Sequence, residues 1–160
     1  MFRSIIVMLA ALAGCAACAQ HNDSAAVGQA ADPAAHQAHE AYVAAINSNN
    51  LDVLLGMLTE DVVYMAPNAA PYVGKDAVRP WLDGYFKSFK THWDKPVQEF
   101  VVSGAWAFER YAYKSADTPL AGGPTVEDTG WGFVVYHHDA DGKWRVARDA
   151  WGADHPAAKQ

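Results

Sequence analysis

The feature that most constrains this chain is a change of hydrophobic period just after residue 90. Before it, apolar side chains recur every three or four residues; from Trp93 onward they alternate in β-branched and aromatic runs of strand length. Helices collected at one end of a chain and strands at the other predict an α+β domain. At 160 residues, with 51% hydrophobic residues, there is material for one compact domain with a core of its own.

Asp32-Pro33 supplies a capping oxygen followed by proline at a first helical position, and Ala38, Tyr42, Ala45 and Ile46 continue at helical spacing to about Ser48. Asn49-Asn50 breaks that helix, and Leu51, Leu54, Leu55 and Leu58 form the apolar face of a second. Asp61 to Met65 reads as a strand stopped by Pro67. A third helix is predicted from Lys75 to about Lys90, with Trp81, Leu82, Tyr85 and Phe86 on one face and Pro80 near its start. Strands are then predicted over about 95–103, 106–115, 126–138 and 143–151, the last two joined by the turn Asp139-Ala140-Asp141-Gly142. The expected architecture is a cone: a strongly bent antiparallel sheet wrapped around three N-terminal helices.

The N-terminus reads differently. Arg3 precedes the apolar run Ile5 to Leu12, which is too short to span a bilayer and has the form of a secretory signal. The run ends in Leu12-Ala13-Gly14-Cys15, which resembles the bacterial lipoprotein box. The resemblance implies cleavage after residue 14, lipid on Cys15, and, with Ala16 following it, an outer-membrane position facing the periplasm. An ordinary cleaved secretory signal is the alternative, and Cys18 is a weaker lipid acceptor because Cys15-Ala16-Ala17 lacks the bulky apolar residue expected before it. Residues 15–32 read as a flexible tether and the domain as residues 33–155. With Cys15 lipidated, Cys18 has no cysteine partner within the chain, so the domain must stand on packing alone.

Within the domain, Ala41 to Asp52, then Leu58-Thr59-Glu60-Asp61-Val62, then Gly74-Lys75 opening a helix, resemble the start of nuclear-transport-factor-2-like domains. Asp139 to Trp151 is similar to their terminal hairpin, and the SnoaL-like and ketosteroid isomerase-like branches resemble the chain most. The resemblance implies a curved-sheet cone enclosing a pocket, often paired as a homodimer, here through the outer face of the sheet. It carries Tyr42 onto the tyrosine that donates to an oxyanion in the steroid isomerases, whose chemistry is well understood. The proton-moving aspartate of those enzymes aligns with Ala66, and their second acid falls near Val134, so steroid isomerisation by that route is excluded.

Strand alternation puts Trp151, Asp149 and Ala147 on one face and Arg148, Val146 and Trp144 on the other. By resemblance Trp151 faces the pocket, which aims Asp149 inward as a candidate base, with Tyr42 as its hydrogen-bond donor. The competing reading pairs Asp149 with an arginine as a structural link between strands. Met65, Trp81, Tyr85 and Glu109 are further candidates for ligand binding; Glu109 and Arg110 must face opposite sides, so at most one of them enters the pocket. His36/His39 and His137/His138 lack metal-ligand spacing and read as solvated; no metal or other cofactor is expected. A net charge of −6 argues against nucleic acid. Two functions remain: an exported binding protein for a small apolar or aromatic molecule, or a cofactor-independent lyase or isomerase working by acid–base catalysis.

Overall fold

The computed structural model describes residues 32–156; the expected export signal, lipid acceptor Cys15 and the segment read as a tether up to residue 31 lie outside the described residues. Helix α1 spans Pro33–Asn47, opened by the Asp32 carboxylate accepting the Ala34 N–H at 2.9 Å. It stops where Asn49 turns left-handed at φ 53°, and the Asn50 side chain then accepts two N–H groups to start α2, Leu51–Gly56. Leu58, assigned by its spacing to that helix, instead opens strand β1, Leu58–Met65. Its neighbours Val62 and Tyr64 are buried with it on the sheet's inner side.

A two-residue strand, β2 (Tyr72–Val73), precedes α3, Lys75–Ser88. The helix ends before Phe89, where β3 (Phe89–Asp94) begins; β4 (Val97–Ser103), β5 (Trp106–Pro119), β6 (Val126–His138) and β7 (Trp144–Ala153) follow. The sheet order is β2-β1-β7-β6-β5-β3, with β4 also paired to β5. All pairings are antiparallel except β1 with β7, which is parallel. The fold is thus α+β, with N-terminal helices lying in a curved, mostly antiparallel sheet.

Two irregularities shape the interior. β3 pairs with the C-terminal half of β5 and β4 with its N-terminal half, so the edge strand is broken at Lys95-Pro96. Proline cannot donate to a sheet ladder, and the chain turns there. The second is a bulge in β7: Val135 pairs with Arg148 but Tyr136 with Val146, leaving Ala147 unpaired. The extra residue reverses the alternation, so Trp144 and Val146 face the core along with Asp149. The opposite face expected for Trp144 and Val146 is therefore corrected.

Candidate functional site

Between α1, α3 and the concave side of the sheet lies a cavity of about 510 Å³. Its side walls are aromatic. Trp81 and Tyr85, one helical turn apart on α3, lie parallel with ring centres 5.9 Å apart, and Trp151 of β7 closes on Trp81 at 6.0 Å. Phe86, Trp93 and Tyr64 add to the aromatic lining, with Ile46, Leu54 and Leu82 beside them. A cavity of this size walled by aromatic groups, with its polar groups gathered at the two ends, has the form of a small-molecule site.

At its inner end, Asp149 of β7 is almost wholly buried. Its Oδ2 accepts the Tyr42 hydroxyl at 2.7 Å and its Oδ1 the Tyr111 hydroxyl at 3.1 Å. Lys95 Nζ stands 3.8 Å from Oδ2, and both side chains are out of solvent. The ammonium also sits over the rings of Tyr111 and Tyr42, 3.9 and 4.7 Å from their centres, so aromatic faces share in holding it. Asp149 therefore pairs with a lysine, not the arginine expected of a structural link. Burial pushes its carboxyl above the ordinary value of 3.8, against the opposing pull of Lys95 and the two hydroxyls.

Tyr64 and Tyr42 have their hydroxyls 2.7 Å apart. Because Tyr42 gives its proton to Asp149, Tyr64 donates to Tyr42, and a line of hydrogen bonds runs from the cavity wall to the carboxylate. Burial raises both phenols well above their usual range, and the nearby Asp149 charge adds to it, so both keep their protons as donors.

The outer end is acidic. Asp117, Glu127 and Asp128 line it, and its exposed residues, Pro67, Asn68, Val126, Glu127 and His155, mark the mouth. Asp117 Oδ1 accepts the Tyr85 hydroxyl at 2.6 Å and the Thr91 hydroxyl at 2.5 Å. Asp128 accepts the Tyr113 hydroxyl at 2.9 Å and faces His155 Nε2 at 2.7 Å. The carbonyl of Pro156 and the Asp128 carboxylate raise the proton affinity of that exposed imidazole.

Of the residues singled out from sequence, Tyr42, Trp81, Tyr85, Asp149 and Trp151 stand together on this cavity. Met65 does not. Tyr64 occupies the inward position of β1, so its neighbour Met65 points to the outer face and is exposed. Glu109 faces inward but lines no part of the cavity; it is fully buried beside α1, with Oε2 2.8 Å from His39 Nδ1. The contact is close but not aligned as a hydrogen bond. His39, expected to be solvated, is thereby largely enclosed, with 14% of its side chain exposed. Lys95 and Tyr111 were not singled out. Among the described residues no three His, Cys, Asp or Glu side chains gather as a metal site requires.

A family profile for the SnoaL-like domain matches residues 39–147. The chain belongs to the SnoaL-like family. No curated protein matches it in sequence. Among solved structures, it resembles a ketosteroid isomerase-like protein from Erwinia carotovora atroseptica SCRI1043, with 26% identity and a TM-score of 0.70 over 78% of this chain and 96% of that one. It also resembles a nuclear transport factor 2-like superfamily protein from Salmonella enterica, with 15% identity and a TM-score of 0.65 over 76% and 89% of the two chains. A candidate scytalone dehydratase from Novosphingobium aromaticivorans DSM 12444 is 21% identical, with a TM-score of 0.67 over 77% and 83%. The last two establish fold alone. At the two positions that the resemblance assigns to the steroid-isomerase acids, Ala66 follows β1 and Val134 is buried directly across from Asp149 on β6.

Proposed function

We propose that this SnoaL-like protein binds a small, largely apolar aromatic molecule in the cell envelope. The observation that carries the reading is an open aromatic cavity whose inner end is already neutralised. Both Asp149 oxygens accept tyrosine hydroxyls and its charge is matched by Lys95. A carboxylate so occupied serves better as an anchor for oriented donors than as a free base. In line with the Leu12-to-Cys15 box, we place the chain on a lipid anchor at the outer membrane. We further propose a homodimer through the outer sheet face, where Trp106, Trp131 and Phe133 are exposed.

A second reading, a cofactor-independent lyase or isomerase, is favoured by one feature: the Tyr64–Tyr42–Asp149 line could pass a proton between a ligand and a carboxylate of raised proton affinity. Native mass spectrometry of protein purified from expressing cells separates the two. Under the binding reading, one small molecule per chain is retained and released unchanged on denaturation. Under the catalytic reading, that molecule returned to the protein is converted, and Asp149→Asn stops the conversion. A protein that retains nothing and binds no aromatic probe would overturn both.

A further inference from the structure

The cavity is electrostatically lopsided along its length. Among its lining residues are four acidic ones, Asp117, Glu127, Asp128 and Asp149, against two basic ones, Lys95 and His155. The inner pair, Asp149 and Lys95, cancels. What remains is at the outer end: Asp117 and Asp128 at inward positions, with Glu127 on the rim at the outward position between Val126 and Asp128, against one imidazole, itself on Asp128. The two ends are well separated. Tyr111 and Asp117 are both inward residues of β5 and lie six positions apart, which at strand rise is ~20 Å. Trp81, Tyr85 and Trp93 occupy the space between, and Trp93 Nε1 donates to the Tyr85 hydroxyl at 3.3 Å beside Asp117.

We infer that the ligand is an organic amine: an aromatic body held between the Trp81, Tyr85 and Trp151 rings, with its ammonium at the Asp117–Glu127–Asp128 end. Three physical effects point the same way. Aromatic faces attract a cation and give an anion nothing. A cleft of one charge sign with low-dielectric walls concentrates ligands of the other sign. The acidic groups stand where water still reaches, so an ammonium there keeps part of its hydration while the apolar body loses its own. An aromatic carboxylate would face three like charges at the mouth, and the buried Lys95 ammonium beyond them is already paired.

This inference rests on the binding reading above, and the test tells their failures apart. Three probes share one body: 2-naphthylmethylamine, 2-naphthylmethanol and 2-naphthoate. Titration calorimetry of each against the protein at low salt is expected to rank the amine first, about tenfold tighter than the alcohol, with the carboxylate weakest. Raising salt should weaken the amine and leave the alcohol unchanged. Glu127→Gln, at an exposed position where folding is not at stake, should weaken the amine about threefold and not the alcohol, and Asp117→Asn should act in the same direction. If the alcohol or the carboxylate binds as tightly as the amine, the inference falls and the binding reading stands. If none of the three binds, both fall.

Discussion

Gly132 lies directly beneath Tyr111: a Cβ built on this glycine of β6 would stand 2.2 Å from both the Cζ and the hydroxyl oxygen of the tyrosine. The absent side chain is what lets the ring lie flat across the sheet and reach Asp149 from β5. Gly130 does the same for Tyr113, whose ring atoms would meet a Cβ at 2.7 Å. Two glycines on one face of a strand thus give two neighbouring tyrosines their orientation, one toward the inner carboxylate and one toward Asp128.

Gly132→Ala should therefore displace Tyr111 and break its bond to Asp149. A small-to-large change against a buried ring costs about 1–3 kcal/mol. Urea denaturation should show that loss, and aromatic probes should bind more weakly even where the variant remains folded. Gly56→Ala serves as the comparison, because nothing stands within 4 Å of an added Cβ there and the residue is helical. It should leave stability the same or slightly raised.

Lys95 and Asp149 should prove coupled. Removing one member of a buried pair leaves the other's charge without compensation, a loss of about 3–5 kcal/mol. Lys95→Met and Asp149→Asn should each be strongly destabilising, and the double variant less so than their sum. Additive losses in a double-mutant cycle would show that the two side chains do not interact.

Glu109, on β5 two residues before Tyr111, offers a contrast. It is buried against His39 and has no access to the cavity, so its variants should affect folding and not ligand. His39→Ala, which strips a buried carboxylate of its neighbour, should cost about 1–3 kcal/mol by thermal unfolding. The affinity of the remaining folded protein for an aromatic probe should be unchanged. A change in affinity comparable to that from Asp149→Asn would place Glu109 in the site after all.

The order of helices and strands was legible because period is a local property, readable from a dozen residues at a time. Trp81 and Tyr85 followed from helical spacing, Tyr42 and Trp151 from the family resemblance, and Asp149 from alternation with Trp151; all five fall on one cavity. Alternation failed where the backbone departs from it. The β7 bulge at Ala147 turns Trp144 and Val146 inward, and nothing in Trp144 to Asp149 marks the extra residue. Met65 was misjudged for the complementary reason: its place at the end of β1 said nothing about which side it faces. Lys95 was invisible because a lone lysine before a proline reads as surface. Only the break between β3 and β4, a consequence of how both pair with β5, turns it inward.

The pH dependence of stability follows from the same geometry, and its sign separates two groups of carboxylates. Asp149 holds its proton to higher pH when folded than the ordinary value of 3.8, chiefly because burial disfavours its charge. Between 3.8 and its folded value, the folded chain therefore binds more protons than the unfolded one, so this group's contribution grows on acidification. It is complete below 3.8 and is lost as pH rises through the folded value. Asp139 behaves oppositely. Although partial burial works against it, His137 and Arg145 hold its carboxyl below 3.8, so its contribution is present above that value and lost as pH falls through the folded one. The two windows lie on either side of 3.8 and do not overlap. Comparing wild type with Asp149→Asn isolates the first, since the variant retains every other titrating group. As the pH falls across the acidic range towards about 4, the difference in unfolding free energy should move in favour of wild type, by at most about 1.4 kcal/mol per pH unit. A difference that stays flat across this range, or moves the other way, would mean that Asp149 is ionised as readily in the fold as outside it. Lys95 and the two tyrosines would then have offset its burial in full.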